Sequence, residues 1–411
     1  MFNAFKNLAR ATVIGALLAG SIAGTASAAP AIDWSFGAPT PNEAADPFYT
    51  PPTSIPDGQP GDVIRARVAP AGPPTARELA AAWQVMYLST DPLGNRNVVT
   101  GTVLVPRGTD LTKVPVIGFA PGTTGPAFRC TVSRWIANGA FYEQAAINDM
   151  LRAGYAVAIT DYEGYHENPT ASYINAKAMS SAVLDSVRAA TRLPEAKLAA
   201  NPKVLLRGYS QGGGATMAAA QNASTYAPEL NILGVAAGGV PADLVKVAIA
   251  NEGRAGFGFV LNAWIGLDNA YPELKLDNYT NALGKSTLAN MEANDCTLEL
   301  LLNYAGKTSD VYTGDISPFS EDSWIERVVE NQLGKVKINV PVFQYHGTKD
   351  QIVAFSQASA ARTAWCKLGV NETWKTYPVD HITGVARGNA DVMAFLADRV
   401  AGVPATSNCG T

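Results

Sequence analysis

The sequence predicts an α/β fold, a mostly parallel sheet flanked by helices with a helical cap inserted late in the chain, and three observations carry that reading. Short, wholly apolar runs alternate with segments of helical periodicity through residues 114–237. The string Gly208-Tyr209-Ser210-Gln211-Gly212 joins one such run, Val204-Leu205-Leu206, to a stretch of small residues that begins a helix. Strand signals then vanish between about residues 241 and 324 and resume at 340–345 and 373–377. Strands that are apolar at every position are covered on both faces, as in a parallel sheet between two helix layers. An insertion of that size between sheet strands is most simply a cap over the strand C-terminal edge, where open α/β sheets bind ligands.

Taken in order, Lys6 and Arg10 precede an apolar run over 11–22 and the small-x-small string Ala26-Ser27-Ala28, so residues 1–28 read as a secretory signal peptide cleaved near Ala28. That run is too short for an ordinary transmembrane helix and no later segment is longer, so an exported protein without a transmembrane anchor is expected. Residues 29–75 are rich in proline with little periodicity and read as an extended surface strap. Strands are predicted over 83–89 and 97–105, joined by the turn formers Asp91-Pro92-Leu93-Gly94-Asn95. A strand over 114–120, a helix over 142–152, a strand over 155–160 and a helix over 174–193 follow. The strand 203–209, its helix and a strand over 230–237 come next. The core is thus assigned to 76–240 and 325–411, and the cap to 241–324. The most apolar part of the cap, 257–267, has two readings: a wall for an apolar substrate, or packing within the cap's own core.

At 411 residues, 47% apolar and 16% charged, the chain can bury a large core. Its formal net charge of -4 becomes -6 once Lys6 and Arg10 are removed with the signal peptide. That balance argues against nucleic acid and anionic membranes as partners. Four cysteines, Cys130, Cys296, Cys366 and Cys409, in an oxidising compartment imply two disulfides, with three pairings open. No Cys-x-x-Cys pair or Cys/His cluster suggests zinc, and a monomer is expected.

The Gly-x-Ser-x-Gly string has the form of a nucleophile elbow, in which a serine at the tip of a tight strand-to-helix turn projects its hydroxyl while flanking glycines make room. A serine hydroxyl needs a base within hydrogen-bond reach, and the base needs a third group to hold its tautomer. Three histidines are present: His166, His346 and His381. In the order Ser, acid, His, the base must follow the serine, which excludes His166. His346 ends a strand, whereas His381 lies in a loop beyond the last strand, and His381 is the better base. Asp350, in the loop after 342–345, is the better orienting acid; Asp380 is adjacent to His381, and neighbouring side chains point apart. Gln211 supplies one backbone N–H for an oxyanion, and the glycine-rich turn Pro121-Gly122-Thr123-Thr124-Gly125 supplies a second, Thr124 ahead of Thr123. Glu163 reads as a loop carboxylate bonded to backbone, and His346 as a brace for the Asp350 loop. Such chemistry needs no cofactor or metal.

These residues resemble the secretory lipase family of α/β-hydrolases. The likeness runs through Asp46-Pro47-Phe48-Tyr49, Pro60-Gly61-Asp62-Val63-Ile64-Arg65, Pro121-Gly122-Thr123-Thr124-Gly125 with Cys130 downstream, Asp161-Tyr162-Glu163-Gly164, the elbow, and Tyr345-His346-Gly347-Thr348-Lys349-Asp350. The resemblance implies an α/β-hydrolase fold with a helical lid and a secreted lipase or esterase using Ser210, Asp350 and His381. It also implies pairing of Cys130 with Cys296 and of Cys366 with Cys409. The expected partner is a lipid or other ester substrate, with an oil-water interface as one place of encounter. Alternatives with the same fold are a short-chain esterase, an acyltransferase, and a non-catalytic binding protein.

Overall fold

The computed structural model describes residues 46–410, so the signal-peptide segment lies outside the described residues. Nine strands form one sheet: β1 (Val63–Ala69), β2 (Ala80–Thr90), β3 (Arg96–Pro106), β4 (Val116–Ala120), β5 (Ala156–Glu163), β6 (Val204–Tyr209), β7 (Ile232–Gly238), β8 (Val342–Gly347) and β9 (Glu372–Tyr377). Their spatial order is β1-β2-β3-β5-β4-β6-β7-β8-β9. The first three are antiparallel, β3 meets β5 antiparallel, and every pairing from β5 to β9 is parallel. The β2–β3 connection is held by Asp91, whose Oδ1 accepts the N–H groups of Leu93 and Asn95.

In chain order the helices are α1 (Pro74–Leu79), α2 (Val132–Asn138), α3 (Gln144–Arg152), α4 (Ala176–Arg192), α5 (Gln211–Tyr226), α6 (Leu244–Asn251), α7 (Phe257–Ala270), α8 (Ala282–Asn294), α9 (Thr297–Asn303), α10 (Asp322–Glu330), α11 (Phe355–Lys367), α12 (His381–Arg387) and α13 (Asn389–Ala401). Successive strand residues point to opposite faces, so both faces of the central strands become core. Val204 and Leu206 pack with α4, α5 and Trp365 of α11, while Leu205 packs on the other face with Ile136, Ile147 and Leu396 of α2, α3 and α13. A third core lies inside the helical insertion that separates β7 from β8, around Phe257, Leu261, Trp264, Met291, Leu300 and Trp324.

The structure changes the expected account of the strap. Val63–Ala69 is an edge strand paired with β2, and α1 begins at Pro74. The strap upstream is pinned to the core: Arg67 pairs with Asp46 at 2.5 Å, and the Tyr49 hydroxyl lies 2.9 Å from Ser133 Oγ. The insertion also extends further than its expected end, because α10 runs to Glu330 before the chain returns to β8.

At the far edge of the sheet the C-terminal tail lies along β9. Asn408 donates its N–H to Glu372 O (3.0 Å) and its Nδ2 to Trp374 O (2.8 Å), while its Oδ1 accepts Trp374 N–H (2.8 Å). The Cys366–Cys409 disulfide fastens the tail to α11. Beneath it the Glu372 side chain is fully enclosed, and neither carboxylate oxygen has a hydrogen-bond partner. Burial pushes this carboxyl from 4.5 up to about 8, against the pull of the Arg362 charge. The folded chain therefore holds a proton that the unfolded chain has released, and the stability this gives is complete below pH 4.5 and lost as pH rises to about 8. The slope is about 1.4 kcal/mol per pH unit over that window. Glu372→Gln should flatten it, making the variant more stable than the parent at pH 8 but not at pH 4.5. Urea unfolding of both proteins at the two pH values measures this, and an identical pH dependence would refute it.

Candidate active site

Ser210 stands between β6 and α5 with φ 58° and ψ -123°, in the strained conformation of a sharp turn. Such a turn requires backbones to meet almost without side chains. A Cβ on Gly212 would lie 2.0 Å from the carbonyl oxygen of Ala120, which explains the small residues after the serine. The turn lifts Ser210 to the C-terminal edge of the parallel strands.

His381 and Asp350 reach the same point from the loops after β9 and β8. His381 Nε2 is 2.9 Å from Ser210 Oγ, and His381 Nδ1 is 2.7 Å from Asp350 Oδ2. Burial works against the Asp350 charge, but the His381 charge and the hydrogen bonds from His346 and His381 outweigh it and hold the carboxyl well below the usual range. An ionised carboxylate only accepts, so in the neutral imidazole His381 Nδ1 carries the proton and Nε2 is left to accept the Ser210 hydroxyl. Asp350 is itself held: Oδ1 accepts the N–H groups of Ile352 (3.0 Å) and Val353 (2.7 Å). His346 Nε2 lies 2.8 Å from Val353 O and 3.2 Å from Asp350 Oδ2, bracing this loop.

His381 is not in an open loop; it is the first residue of α12. Asp380 caps that helix by accepting Thr383 N–H at 2.8 Å, so its carboxylate is spent there and not on the imidazole. The Tyr209 hydroxyl donates to His381 O at 2.8 Å, tying the base to the residue before the serine. His166 is remote from this group and contacts Thr170. Glu163 accepts from Asn97 Nδ2 (2.6 Å) and Ser172 Oγ (2.5 Å), side chains and not backbone, and closes the loop after β5.

The turn after β4 faces Ser210. Thr123 and Gln211 line the cavity at the serine, whereas Thr124, the residue favoured from sequence, does not. The Thr124 carbonyl accepts Thr297 N–H at 2.9 Å, which joins this turn to the insertion. As the first residue of α5, Gln211 has no intrahelical partner for its N–H. Around this turn lies a set of residues that sequence reasoning missed. Tyr162 O–H donates to Pro121 O (2.7 Å), Tyr165 O–H to Gly125 O (2.8 Å) and Tyr142 O–H to Thr123 O (3.3 Å). The Tyr173 hydroxyl lies 2.9 Å from Thr123 Oγ1, and Glu143 accepts Gly122 N–H at 2.7 Å. The density of tyrosines over 142–173 was the available signal.

Beyond the serine an apolar cleft runs between the sheet edge and the insertion. Its walls are apolar, with Phe259, Trp264 and Leu267 from α7, Trp324 and Val328 from α10, and Ile174. Both readings of the 257–267 stretch hold in part: Phe259 and Ala263 line the cleft, Phe257 and Leu261 pack inward, and Val260, Trp264 and Leu267 belong to both sets. Two disulfides join Cys130 to Cys296 and Cys366 to Cys409. The first draws the start of α9 against the turn after β4, reinforced by the Arg129–Glu299 ion pair at 3.0 Å.

Serine, then acid, then histidine along the chain, on a sheet of this topology, is the arrangement of an α/β-hydrolase. Known proteins agree. Candida antarctica lipase A matches with a TM-score of 0.80 and 26% identity over 89% of this chain and 88% of its own. The secretory lipase family model matches residues 137–408, and the chain belongs to that family of serine carboxylic-ester hydrolases. Lipase 5 of Candida albicans is 30% identical over 393 residues, covering 89% of this chain and 82% of that protein. A secreted triacylglycerol lipase of Malassezia furfur is 28% identical over 387 residues, covering 89% and 77%. The rice cell wall degrading esterase LipA of Xanthomonas oryzae has a TM-score of 0.63 at 18% identity, a likeness of fold alone.

Proposed function

We propose that this protein is an exported triacylglycerol lipase that works through an acyl-enzyme on Ser210. The observation that carries the reading is the apolar cleft, walled by both the sheet edge and the insertion, that includes Ser210 in its lining. His381 Nε2 takes the hydroxyl proton as Oγ attacks the ester carbon, and Asp350 stabilises the imidazolium. The N–H groups of Gln211 and Thr123 receive the oxyanion. Collapse expels the alcohol, protonated by His381; water, deprotonated by the same nitrogen, then releases the acid and restores the serine.

A buried methylene contributes about 0.8 kcal/mol, so a cleft with these walls should select by acyl length. kcat/KM on p-nitrophenyl esters should rise from acetate to octanoate or beyond, with activity on emulsified tributyrin and longer glycerides. A steady fall from acetate to decanoate, with inert emulsions, would leave a short-chain esterase. The segment 314–321 carries the exposed Ile316 and places Pro318 and Phe319 on the cleft wall, and we assign it to the part of the lid that parts at an oil-water interface. Among the described residues no helix is long and apolar enough to cross a membrane. Export with cleavage near Ala28, and a monomeric enzyme, complete the proposal; the mass of the mature chain and its elution volume test both.

A further inference from the structure

Glu143 is a buried acid that ester hydrolysis leaves without a role. It precedes α3, is 5% exposed, and sits beneath the turn after β4 with Oε1 on Gly122 N–H at 2.7 Å. The same peptide unit is held at its other end, where Tyr162 O–H donates to Pro121 O at 2.7 Å. Because a peptide is planar, opposed hydrogen bonds on its C=O and N–H fix its rotation. The peptide two steps on is held at its C=O, where Thr123 O accepts from the Thr297 hydroxyl. Between these two clamped peptides lies the one that carries Thr123 N–H. Nothing larger than glycine fits at the clamp, since a Cβ on Gly122 would lie 2.3 Å from the Tyr142 hydroxyl.

We propose that Glu143 is a positioning residue of the oxyanion pocket, its carboxylate setting the direction of the Thr123 N–H through Gly122. The inference rests on the function proposed above and adds a residue to it. A buried carboxylate is costly, and the groups that face this one offset the cost only in part. Burial pushes the carboxyl up to about 7, against the Gly122 N–H, the Arg207 charge and the Tyr142 hydroxyl. An apolar side chain would fill the space without that cost but would leave Gly122 N–H unpaired. In its ionised form the Glu143 hydrogen bond to the amide is short and about twice as strong as a neutral one, which suits a group whose task is to hold an amide still.

The test uses the full enzyme, a soluble p-nitrophenyl ester, and an alkyl boronic acid that adds to the serine as a tetrahedral mimic. Loss of a well-placed oxyanion donor costs on the order of 10²–10³ in kcat, and misdirecting one should cost somewhat less. Glu143→Ala should lower kcat by roughly 30- to 300-fold with KM within threefold, and weaken boronate binding by a similar factor. Glu143→Gln, whose amide oxygen still accepts Gly122 N–H, should recover most of both. Tyr162→Phe removes the opposing clamp and should show a smaller loss with the same signature, which decides the matter if Glu143→Ala does not fold. Unchanged kcat in Glu143→Ala, or unchanged boronate affinity in Tyr162→Phe and in Glu143→Ala where it folds, would overturn the proposal. Ser210→Ala in the same assay separates the two levels. Turnover surviving in it sinks the ester mechanism itself, whereas a dead Ser210→Ala beside a fully active Glu143→Ala sinks only the role of Glu143.

Discussion

Ser210→Ala and His381→Ala are each expected to lower kcat by on the order of 10⁴- to 10⁶-fold, because either change removes the nucleophile or the base that activates it. Asp350→Asn should cost on the order of 10⁴-fold, and the geometry says why. Oδ1 is occupied by the N–H groups of Ile352 and Val353, so an asparagine keeps its oxygen there and turns its amide nitrogen toward His381. That nitrogen donates, so His381 Nδ1 must accept, and the proton moves to Nε2. Nε2 then faces Ser210 as a donor and can no longer take the hydroxyl proton. Steady-state kinetics, with a fluorophosphonate probe reporting serine reactivity and circular dichroism reporting the fold, measure all three variants. Near parental turnover in a folded His381→Ala protein would remove the histidine from the mechanism.

Replacing Cys130 and Cys296 by alanine should cost both stability and turnover. The closed loop spans 166 residues, for which the chain-entropy model gives about 5 kcal/mol. This bond also holds the start of α9, whose Thr297 bonds to the carbonyls of Thr123 and Thr124. The same replacement at Cys366 and Cys409, which close a span of 43 residues far from the serine, should cost about 4 kcal/mol and leave kcat unchanged in the folded protein. Denaturant melts paired with kcat for each double variant test the contrast. Equal turnover in both would mean that the insertion does not support the oxyanion turn.

Much of this architecture was legible in the sequence, for reasons that particular residues make plain. The run Val204-Leu205-Leu206 is apolar throughout because it serves two cores, Gly212 is small because Ala120 passes so close, and Gly213 because the Gly238 carbonyl does. Chain order excluded His166, and the place of His346 at the end of a strand left His381. Other features left a weaker trace. Val63–Ala69 alternates irregularly and carries Arg65 and Arg67 because it is a half-exposed edge strand, so it reads like the proline-rich segment beside it. The stretch 257–267 is apolar on both helical faces because one packs into the insertion and the other lines the cleft, and periodicity cannot separate two apolar faces. Thr123 and Thr124 are alike in sequence; that Thr123 lines the cleft at the serine follows only from the folded turn after β4. Glu143 resembles an ordinary acid before a helix, and its burial follows only from how α3 packs under the turn.

The tail along β9 bears on how these molecules behave in a crowd. Without Asn408 the outward N–H and C=O groups of Glu372 and Trp374 would be open to a strand from another molecule, the usual start of sheet-by-sheet polymerisation. Without Cys409 the Cys366 thiol would be free to crosslink whatever docked there. A short tail outside the active site thus acts as a chain terminator for the sheet, and an enzyme shortened before Asn408 would announce its loss as turbidity before any change in its chemistry.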